Sequence, residues 1–390
     1  MFSQLTYAPL PEWNDLFSIL FSFNKISDND LASPWLRDGE KGYWYSRSAW
    51  ALLAIAKYRA SVLRNKSVHI WLPGYFCNES TKPLRNFNAK IYFYPVMPDG
   101  SPDIAACKNM LSDSSIDLFV LVHYFGDLID TNDSFNFAKN NGAWLIEDAA
   151  HILIPFDGIS YNGDFVFYSP HKLLPIPDGA LLVVRPNGPG KIKKANLKKY
   201  GFQNLEEEFM LTSKSSLTPY IWLIKRLLQK FGIRSKSYIT TSFYENDRTN
   251  ETFIRPKMSL LAKKLLAIMI NNLDEERKKR RNNLMGWIKY LSISGLIKDK
   301  MSQIIEMKTP YLAVMHFNKS KDAQKAFYSL LNVKIPVSTW PDLPPEVLSD
   351  RQKQKVAISL RNYRIFLPVH RSITSKSIKS AAEKINIQTN

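Results

Sequence analysis

Two short runs in this 390-residue chain hold groups whose types and order suit covalent chemistry on an amine. The first is Leu145-Ile146-Glu147-Asp148-Ala149-Ala150-His151, an apolar run closed by two carboxylates, two small residues and an imidazole. The second, Phe165-Val166-Phe167-Tyr168-Ser169-Pro170-His171-Lys172, is another apolar run that stops at Ser, His and Lys. It leads through Leu173-Leu174-Pro175-Ile176-Pro177-Asp178-Gly179-Ala180 into a further β run. Taken singly, each has an ordinary reading. Acids at a strand end face water or cap the next helix, and a lysine there is a solvated charge. Together they suggest more. An amine in a partly desolvated pocket loses its proton and can form a Schiff base with an aldehyde. A carboxylate on a neighbouring strand can hold a pyridinium nitrogen protonated, which makes that ring an electron sink. Lys172 and Asp148 are therefore the candidate catalytic pair, and pyridoxal 5'-phosphate is the cofactor this chemistry requires.

These groups need a rigid frame. The first half of the chain alternates helical patterns with short β-rich runs. Ala49 to Arg64 has helical spacing at Leu52, Ala56, Ala60 and Leu63. Val68–Leu72, Lys90–Val96, Leu118–Tyr124, Ala143–Glu147, Phe165–Tyr168 and Ala180–Val184 are apolar and closed by Pro, Gly, Asp or Asn. Strands separated by helices predict an α/β fold with a mainly parallel sheet covered on both faces. Ligands bind such sheets at the carboxyl ends of the strands, where the polar runs fall. Ser259 to Leu291 reads as one long helix. After it, Tyr311–Phe317, Val333–Ser338 and Tyr363–Leu367 read as strands and Ser375–Ile385 as a helix, a smaller C-terminal α+β domain. The expected division is a large domain over 1–255 and the connecting helix with the small domain over 256–390.

Charge adds a second theme. Lys and Arg number 53 against 35 Asp and Glu, a net +18. From Lys191 to Lys300 there are 24 basic and 10 acidic residues, so that stretch alone carries +14. Such an excess suggests an anionic partner. A basic insertion is expected at about 191–250. Within it, residues 219–231 place Tyr220, Leu223, Ile224, Leu227, Leu228 and Phe231 on one helical face, with Lys225, Arg226 and Lys230 opposite. That helix either packs on protein, its own or a dimer partner's, or lies in the plane of an anionic membrane with Trp222 at the boundary. Nucleic acid is disfavoured, since no recognisable module or aromatic platform accompanies the charge. The run Glu275 to Arg281 reads as a solvated face. Two cysteines without a His cluster make neither a disulfide framework nor a zinc site, and no metal is expected. The first residues lack a signal-peptide pattern, and no apolar run is long enough to span a bilayer. A cytoplasmic location is expected, with peripheral contact at the inner face of the membrane as an extension.

From about residue 40 to the end, the chain resembles the DegT/StrS-type nucleotide-sugar aminotransferases. The Glu147-Asp148-Ala149-Ala150-His151 strand end and the Ser169-to-Lys172 spacing are similar to that family's central motifs. Tyr45-Ser46-Arg47-Ser48-Ala49-Trp50-Ala51-Leu52 stands where the family has its phosphate-cradling helix start. Leu72-Pro73-Gly74-Tyr75-Phe76-Cys77 resembles an aromatic turn beside the cofactor ring. Val122-His123-Tyr124-Phe125-Gly126, Arg255-Pro256-Lys257-Met258-Ser259 and Phe366-Leu367-Pro368-Val369-His370 follow in family order. The resemblance implies the type I fold of pyridoxal-phosphate transferases, with a seven-stranded type of sheet, and a homodimer. It makes Lys172 the cofactor-bearing lysine and Asp148 the partner of the pyridine nitrogen. His151 would lie near the phenolate oxygen and Ser169 near the phosphate, with Arg47, Ser48, Ala49, Tyr75 and Arg255 completing the cofactor-binding set. An amino-acid donor, commonly glutamate, and a nucleotide-linked keto sugar of polysaccharide or related biosynthesis are the implied substrates.

Three departures stand out. Arg47 replaces a small Gly, Arg255 stands about where the family has an Asn that reaches the partner subunit's cofactor phosphate, and Pro177-Asp178-Gly179-Ala180 replaces a Gly-rich loop. They keep two alternatives open: another pyridoxal-phosphate reaction, such as decarboxylation or condensation, and a non-catalytic membrane-associated derivative. The family's dehydratase branch has His at the lysine position, so Lys172 favours transamination.

Overall fold

The computed structural model describes residues 5–21, 27–64, 67–87, 89–189, 217–233, 243, 255–291 and 308–389. Most of the expected basic insertion lies outside these residues.

A seven-stranded sheet forms the centre, in the order β1-β7-β6-β5-β4-β2-β3. Its strands are β1 (Lys41–Tyr45), β2 (His69–Pro73), β3 (Lys90–Tyr94), β4 (Leu118–Val122), β5 (Trp144–Ala149), β6 (Phe165–Tyr168) and β7 (Ala180–Val184). Strands β2 to β6 pair in parallel, whereas β7 runs antiparallel to both β6 and β1. The sheet is thus mainly parallel, as the alternation of strands and helices predicts. Side-chain alternation divides its two faces cleanly. Phe165, Phe167, Ala180 and Leu182 join the core on one face, and Val166, Tyr168, Leu181 and Val183 join the core on the other. Both faces are covered, so β4, β6 and β7 are buried throughout and read as unbroken apolar runs.

Strand β1 had no counterpart in the sequence reading. Lys41-Gly42-Tyr43-Trp44-Tyr45 is short and contains a glycine, which weakens a strand signal. Its pairing with β7 makes it a strand and delivers the Ser46–Arg47 loop to the head of the Ser48–Leu63 helix.

The single helix expected over 259–291 is two. Leu260–Met269 and Leu273–Tyr290 are separated by a 3₁₀ turn at Ile270–Asn272. Asn271 and Asn272 are poor helix interiors, and Asp274, Glu275 and Glu276 suit the start of a new helix. Beyond it, β8 (Leu312–His316) and β9 (Arg364–Pro368) form an antiparallel pair. They pack with Trp287, Phe327 and Ile378 into a separate core. The strand expected at Val333–Ser338 reduces to one bridge, Ser338 to Phe366. Pro336 has no amide to donate, and Lys334 is left-handed at φ 61°, so a ladder cannot run through.

The Glu275–Arg281 run is also not a simple solvated face. Glu276 and Arg280 are buried and bonded at 2.8 Å. Their neighbours Asp274, Glu275 and Lys278 remain at the surface. The helical period turns two of these charges inward, and a charge run alone does not reveal which.

Candidate active site

Strand β5 places its two carboxylates on opposite sides of the sheet, because successive side chains alternate. Glu147 turns into a closed cradle. It accepts hydrogen bonds from the backbone N–H groups of Ser160 (2.8 Å), Asn162 (3.2 Å) and Gly163 (2.6 Å), and from His123 Nε2 (3.1 Å). His123 Nδ1 accepts from the Ile129 N–H at 3.2 Å, so the proton on this ring sits on Nε2, facing Glu147. Burial pushes Glu147 up, but the His123 bond and the backbone donors outweigh it and hold its carboxyl below the ordinary value of 4.5. A lowered carboxylate stabilises the fold above its unfolded-state value, and that contribution disappears as the pH falls through the folded value. Thermal unfolding should therefore lose stability as the pH drops below about 5. Glu147→Gln should cost about 1–3 kcal/mol at pH 7 and flatten the acid limb of the Tm profile. An unchanged limb in the variant would show that Glu147 is not the group responsible.

Asp148 faces the opposite way, into a cleft at the carboxyl ends of the parallel strands. Asp148 Oδ1 accepts the Ala150 N–H at 2.9 Å. Burial raises this carboxyl, opposed by the nearby Lys172, the Ala150 amide and His123. Lys172 closes a short helix, Pro170–Leu173, directly after β6 and lines the same cleft. Burial lowers its amine, with Asp148 and Cys77 acting to raise it and Arg47 to lower it further. Among the described residues no ion pair joins Asp148 to Lys172. His151 completes the group, with Nε2 at 3.2 Å from Lys172 Nζ.

Ser48 and Ala49 form the start of the Ser48–Leu63 helix and line the cleft from another side. Arg47 precedes them in extended conformation, and no side chain caps that helix end. Its amides and dipole thus face the cleft without a capping oxygen, an arrangement that receives anions. Arg47 itself turns its guanidinium onto the carbonyls of Ser46 (2.9 Å) and Pro177 (3.2 Å), joining the two loops that depart from the family pattern. Asp178 in the second loop accepts the Ser259 N–H at 2.8 Å, and Gly179 at φ +139° takes a backbone shape that other residues rarely adopt. Ser169 is fully buried, and among the described residues its hydroxyl has no hydrogen-bond partner.

The remaining expected residues lie further off. Tyr75 is buried behind the wall, stacked on Trp340 with ring centroids 4.4 Å apart, so it is Trp340 that lines the cleft. Arg255 has an exposed side chain and is outside the lining; its carbonyl accepts from Ser46 Oγ. His171 donates from Nδ1 to the Gly179 carbonyl at 2.9 Å and serves the loop. The sequence reading did not single out Trp340 or Tyr311. Tyr311 stacks on His151 at 4.3 Å and 13°. Both come from the C-terminal part of the chain and pack against the core of the large sheet, and no local pattern marks a residue whose role is to close a cleft from so far along the sequence.

Comparison with solved structures identifies the fold. Spr1654 of Streptococcus pneumoniae, assigned as a sugar aminotransferase and solved in its PMP form, superposes with a TM-score of 0.72 at 12% identity, over 98% of each chain. Helicobacter pylori PseC, an aminotransferase of pseudoaminic acid biosynthesis, gives 0.67 at 13% identity, again over 98% of each chain. The E. coli GDP-4-keto-6-deoxy-D-mannose-3-dehydratase with bound hydrated PLP gives 0.65 at 12%, covering 98% of this chain and 100% of that one. No protein-family profile matches the chain, and no curated protein does. The chain therefore has the type I fold of DegT/StrS-type sugar aminotransferases along almost its whole length. That fold serves a dehydratase as well as aminotransferases, so the reaction must be argued from the site.

Proposed function

We propose that this chain is a pyridoxal-phosphate-dependent aminotransferase that moves an amino group from an amino-acid donor to a keto substrate, a nucleotide-linked keto sugar. One observation carries the reading: a half-buried lysine amine and a buried carboxylate share one cleft with an uncapped helix N-terminus. The cofactor fits this set. Ser48 and Ala49 amides would hold its phosphate with the buried Ser169 hydroxyl nearby, Asp148 its pyridine nitrogen, His151 its phenolate oxygen and Lys172 its aldehyde carbon. When bound, it supplies an electrophilic carbon for amines and an electron-withdrawing ring that acidifies the neighbouring C–H bond. Lys172 would take the proton from the donor's α-carbon onto Nζ and give it up again. Asp148 would favour a positive charge on the ring nitrogen. The hydrophobic wall of Phe76, Val122 and Trp340 excludes water from that exchange.

Lys172 is what distinguishes transamination from dehydration in this reading. Full-length protein incubated with pyridoxal phosphate should absorb visible light, and borohydride should fix the cofactor on Lys172. Glutamate should then discharge the absorption and yield 2-oxoglutarate. A protein that stays colourless, or colour that glutamate leaves unchanged, would sink the assignment.

The chain's location is a second part of the proposal: a cytoplasmic homodimer resting on the inner face of an anionic membrane. Among the described residues no helix is long and apolar enough to cross a bilayer. The Thr218–Lys230 helix supports a peripheral contact through Tyr220, Ile224, Leu228 and Phe231 of the face its periodicity suggests, joined by Ile221. Trp222 and Leu223 turn inward against the large core, and Lys230 reaches the Pro11 carbonyl at 2.6 Å. Tyr220, Ile221, Ile224, Leu228 and Phe231 are exposed, Phe231 at 69%, with Trp13 and Phe17 of the Trp13–Phe21 helix also exposed. The exposed Lys225 and the chain's positive excess suit an anionic lipid surface. Sedimentation with vesicles containing phosphatidylserine should carry the protein down, and Ile224→Glu with Leu228→Glu should release it with enzyme activity unchanged. Equal recovery with neutral vesicles, or a dimer that dissociates in the double variant, would assign this face elsewhere.

A further inference from the structure

His151 is held by its surroundings in a way that dictates the protonation of Lys172. Its Nδ1 lies 3.2 Å from the backbone nitrogen of Phe125. A backbone N–H can only donate, so Nδ1 must be the bare, accepting nitrogen. A neutral imidazole then carries its proton on Nε2, and Nε2 is the atom facing Lys172 Nζ at 3.2 Å. A charged ammonium has hydrogens and no lone pair. It would meet the Nε2–H hydrogen to hydrogen, and only an imidazolate could accept at both nitrogens. The contact is a hydrogen bond only if the amine is uncharged and accepts.

The backbone is bent to make this arrangement. Phe125 sits at φ 57° and ψ 15°, left-handed for a bulky residue, and Gly126 follows at φ +95°. Such a conformation is costly outside glycine, and it persists only where the surroundings enforce it. Both backbone groups of Phe125 are used: its N–H goes to His151, and its carbonyl accepts from the Tyr311 N–H at 3.1 Å. Gly126 packs against the Thr309 carbonyl, where a Cβ has no room. The His151 ring is clamped between Tyr311 at 4.3 Å and Phe125 at 5.8 Å, which fixes its plane.

We propose that His151 is a positioning residue that keeps Lys172 an uncharged amine: locked in the Nε2–H form by the Phe125 amide, it donates to the Nζ lone pair. Lys172 is thereby prepared for an electrophilic carbonyl before any ligand enters. The carbonyl's identity as an aldehyde cofactor rests on the functional reading above, whereas the state of Lys172 rests on the geometry alone. Other charges reach this amine. Asp148 and Cys77 favour its charged form, while Arg47 opposes it. Burial disfavours charge on both His151 and Lys172, in keeping with a neutral pair.

Two measurements on the full-length protein without added cofactor test this. Nitrogen-15 NMR of histidine-labelled protein should show His151 as the Nε2–H tautomer, uncharged from pH 6 to pH 9. The Nδ1–H tautomer, or an imidazolium, would overturn the proposal. Trace acetylation with acetic anhydride, read peptide by peptide, should give Lys172 a fraction of its plateau rate at pH 7.5 about tenfold above that of exposed lysines such as Lys139. In His151→Gln, whose amide oxygen can accept from an ammonium, this advantage should shrink severalfold. His151→Leu, which keeps the burial but removes the donor and offers no acceptor, should lose part of it, though less than His151→Gln loses, and a full wild-type advantage in His151→Leu would overturn the proposal. A wild-type Lys172 that follows the exposed lysines, or equal effects of the two variants, would overturn the proposal. Visible absorption with pyridoxal phosphate is scored separately. Cofactor binding with an ordinary lysine profile would defeat this inference alone, and the reverse result would defeat the functional reading alone.

Discussion

Lys172→Ala should reduce turnover by about 10²–10⁴-fold from the loss of general acid–base transfer alone, with a further loss because no amine remains to carry the cofactor. The fold should survive. Lys172 is half-buried, its enclosure acts against its charge, and no described ion pair depends on it. Removing it takes away an amine whose enclosure weighs against stability, so Tm should hold or rise slightly. Borohydride should then fix no cofactor at position 172. Lys172→Arg is the informative control: it places a permanent cation there, one that cannot deprotonate, so it should be as inactive as alanine. A rate within tenfold of wild type in either variant would remove Lys172 from the reaction and favour a non-catalytic role for the chain.

The second large effect is on stability, and it comes from Arg280. This side chain is 1% exposed and paired with Glu276, itself 2% exposed. Its other donors reach the carbonyls of Pro310 (3.3 Å), Tyr311 (3.2 Å) and Leu173. One guanidinium therefore joins the Leu273–Tyr290 helix to the segment carrying the His151-stacking Tyr311 and to the residue after Lys172. Arg280→Ala would leave Glu276 buried, with only the more distant Arg371 at 3.7 Å as a counter-charge. Breaking a buried pair in this way costs about 3–5 kcal/mol. Urea unfolding should show that loss, and Glu276→Gln combined with Arg280→Met should recover much of it. Arg280→Lys keeps the charge but not the planar fork, so it should be intermediate and should also disturb cofactor binding. A cost below 1 kcal/mol in Arg280→Ala would mean that water reaches the pair and the anchoring argument fails.

Both predictions concern residues the sequence displays openly, but it discloses only one of their roles. The strand ends at Asp148 and Lys172 are legible because chemistry and secondary structure coincide there: apolar runs of strand length stop at ionisable groups. The order of motifs from Tyr45 to His370 made the fold class legible in the same way, and the solved structures bear it out. Arg280 sits in a run of like charges, where the helical period rather than composition selects the buried face. The break after Met269 depended on two asparagines outweighing a long apolar pattern. Strand β1 exists because β7 offers it an edge.

What the sequence determined by itself was the kind of sheet, and the amine and carboxylate that line one cleft at the carboxyl ends of its strands. These follow from local periodicity and from the alternation of side chains along a strand. The tertiary structure decided the rest. It sent Glu147 into a backbone cradle and Asp148 into the cleft, replaced Tyr75 by Trp340 at the wall, and left the outward face of the Thr218–Lys230 helix apolar. It also set the His151 proton through a backbone amide on another loop. Such outcomes rest on contacts between segments far apart in the chain, whose geometry exists only once the sheet and the C-terminal segments have packed together.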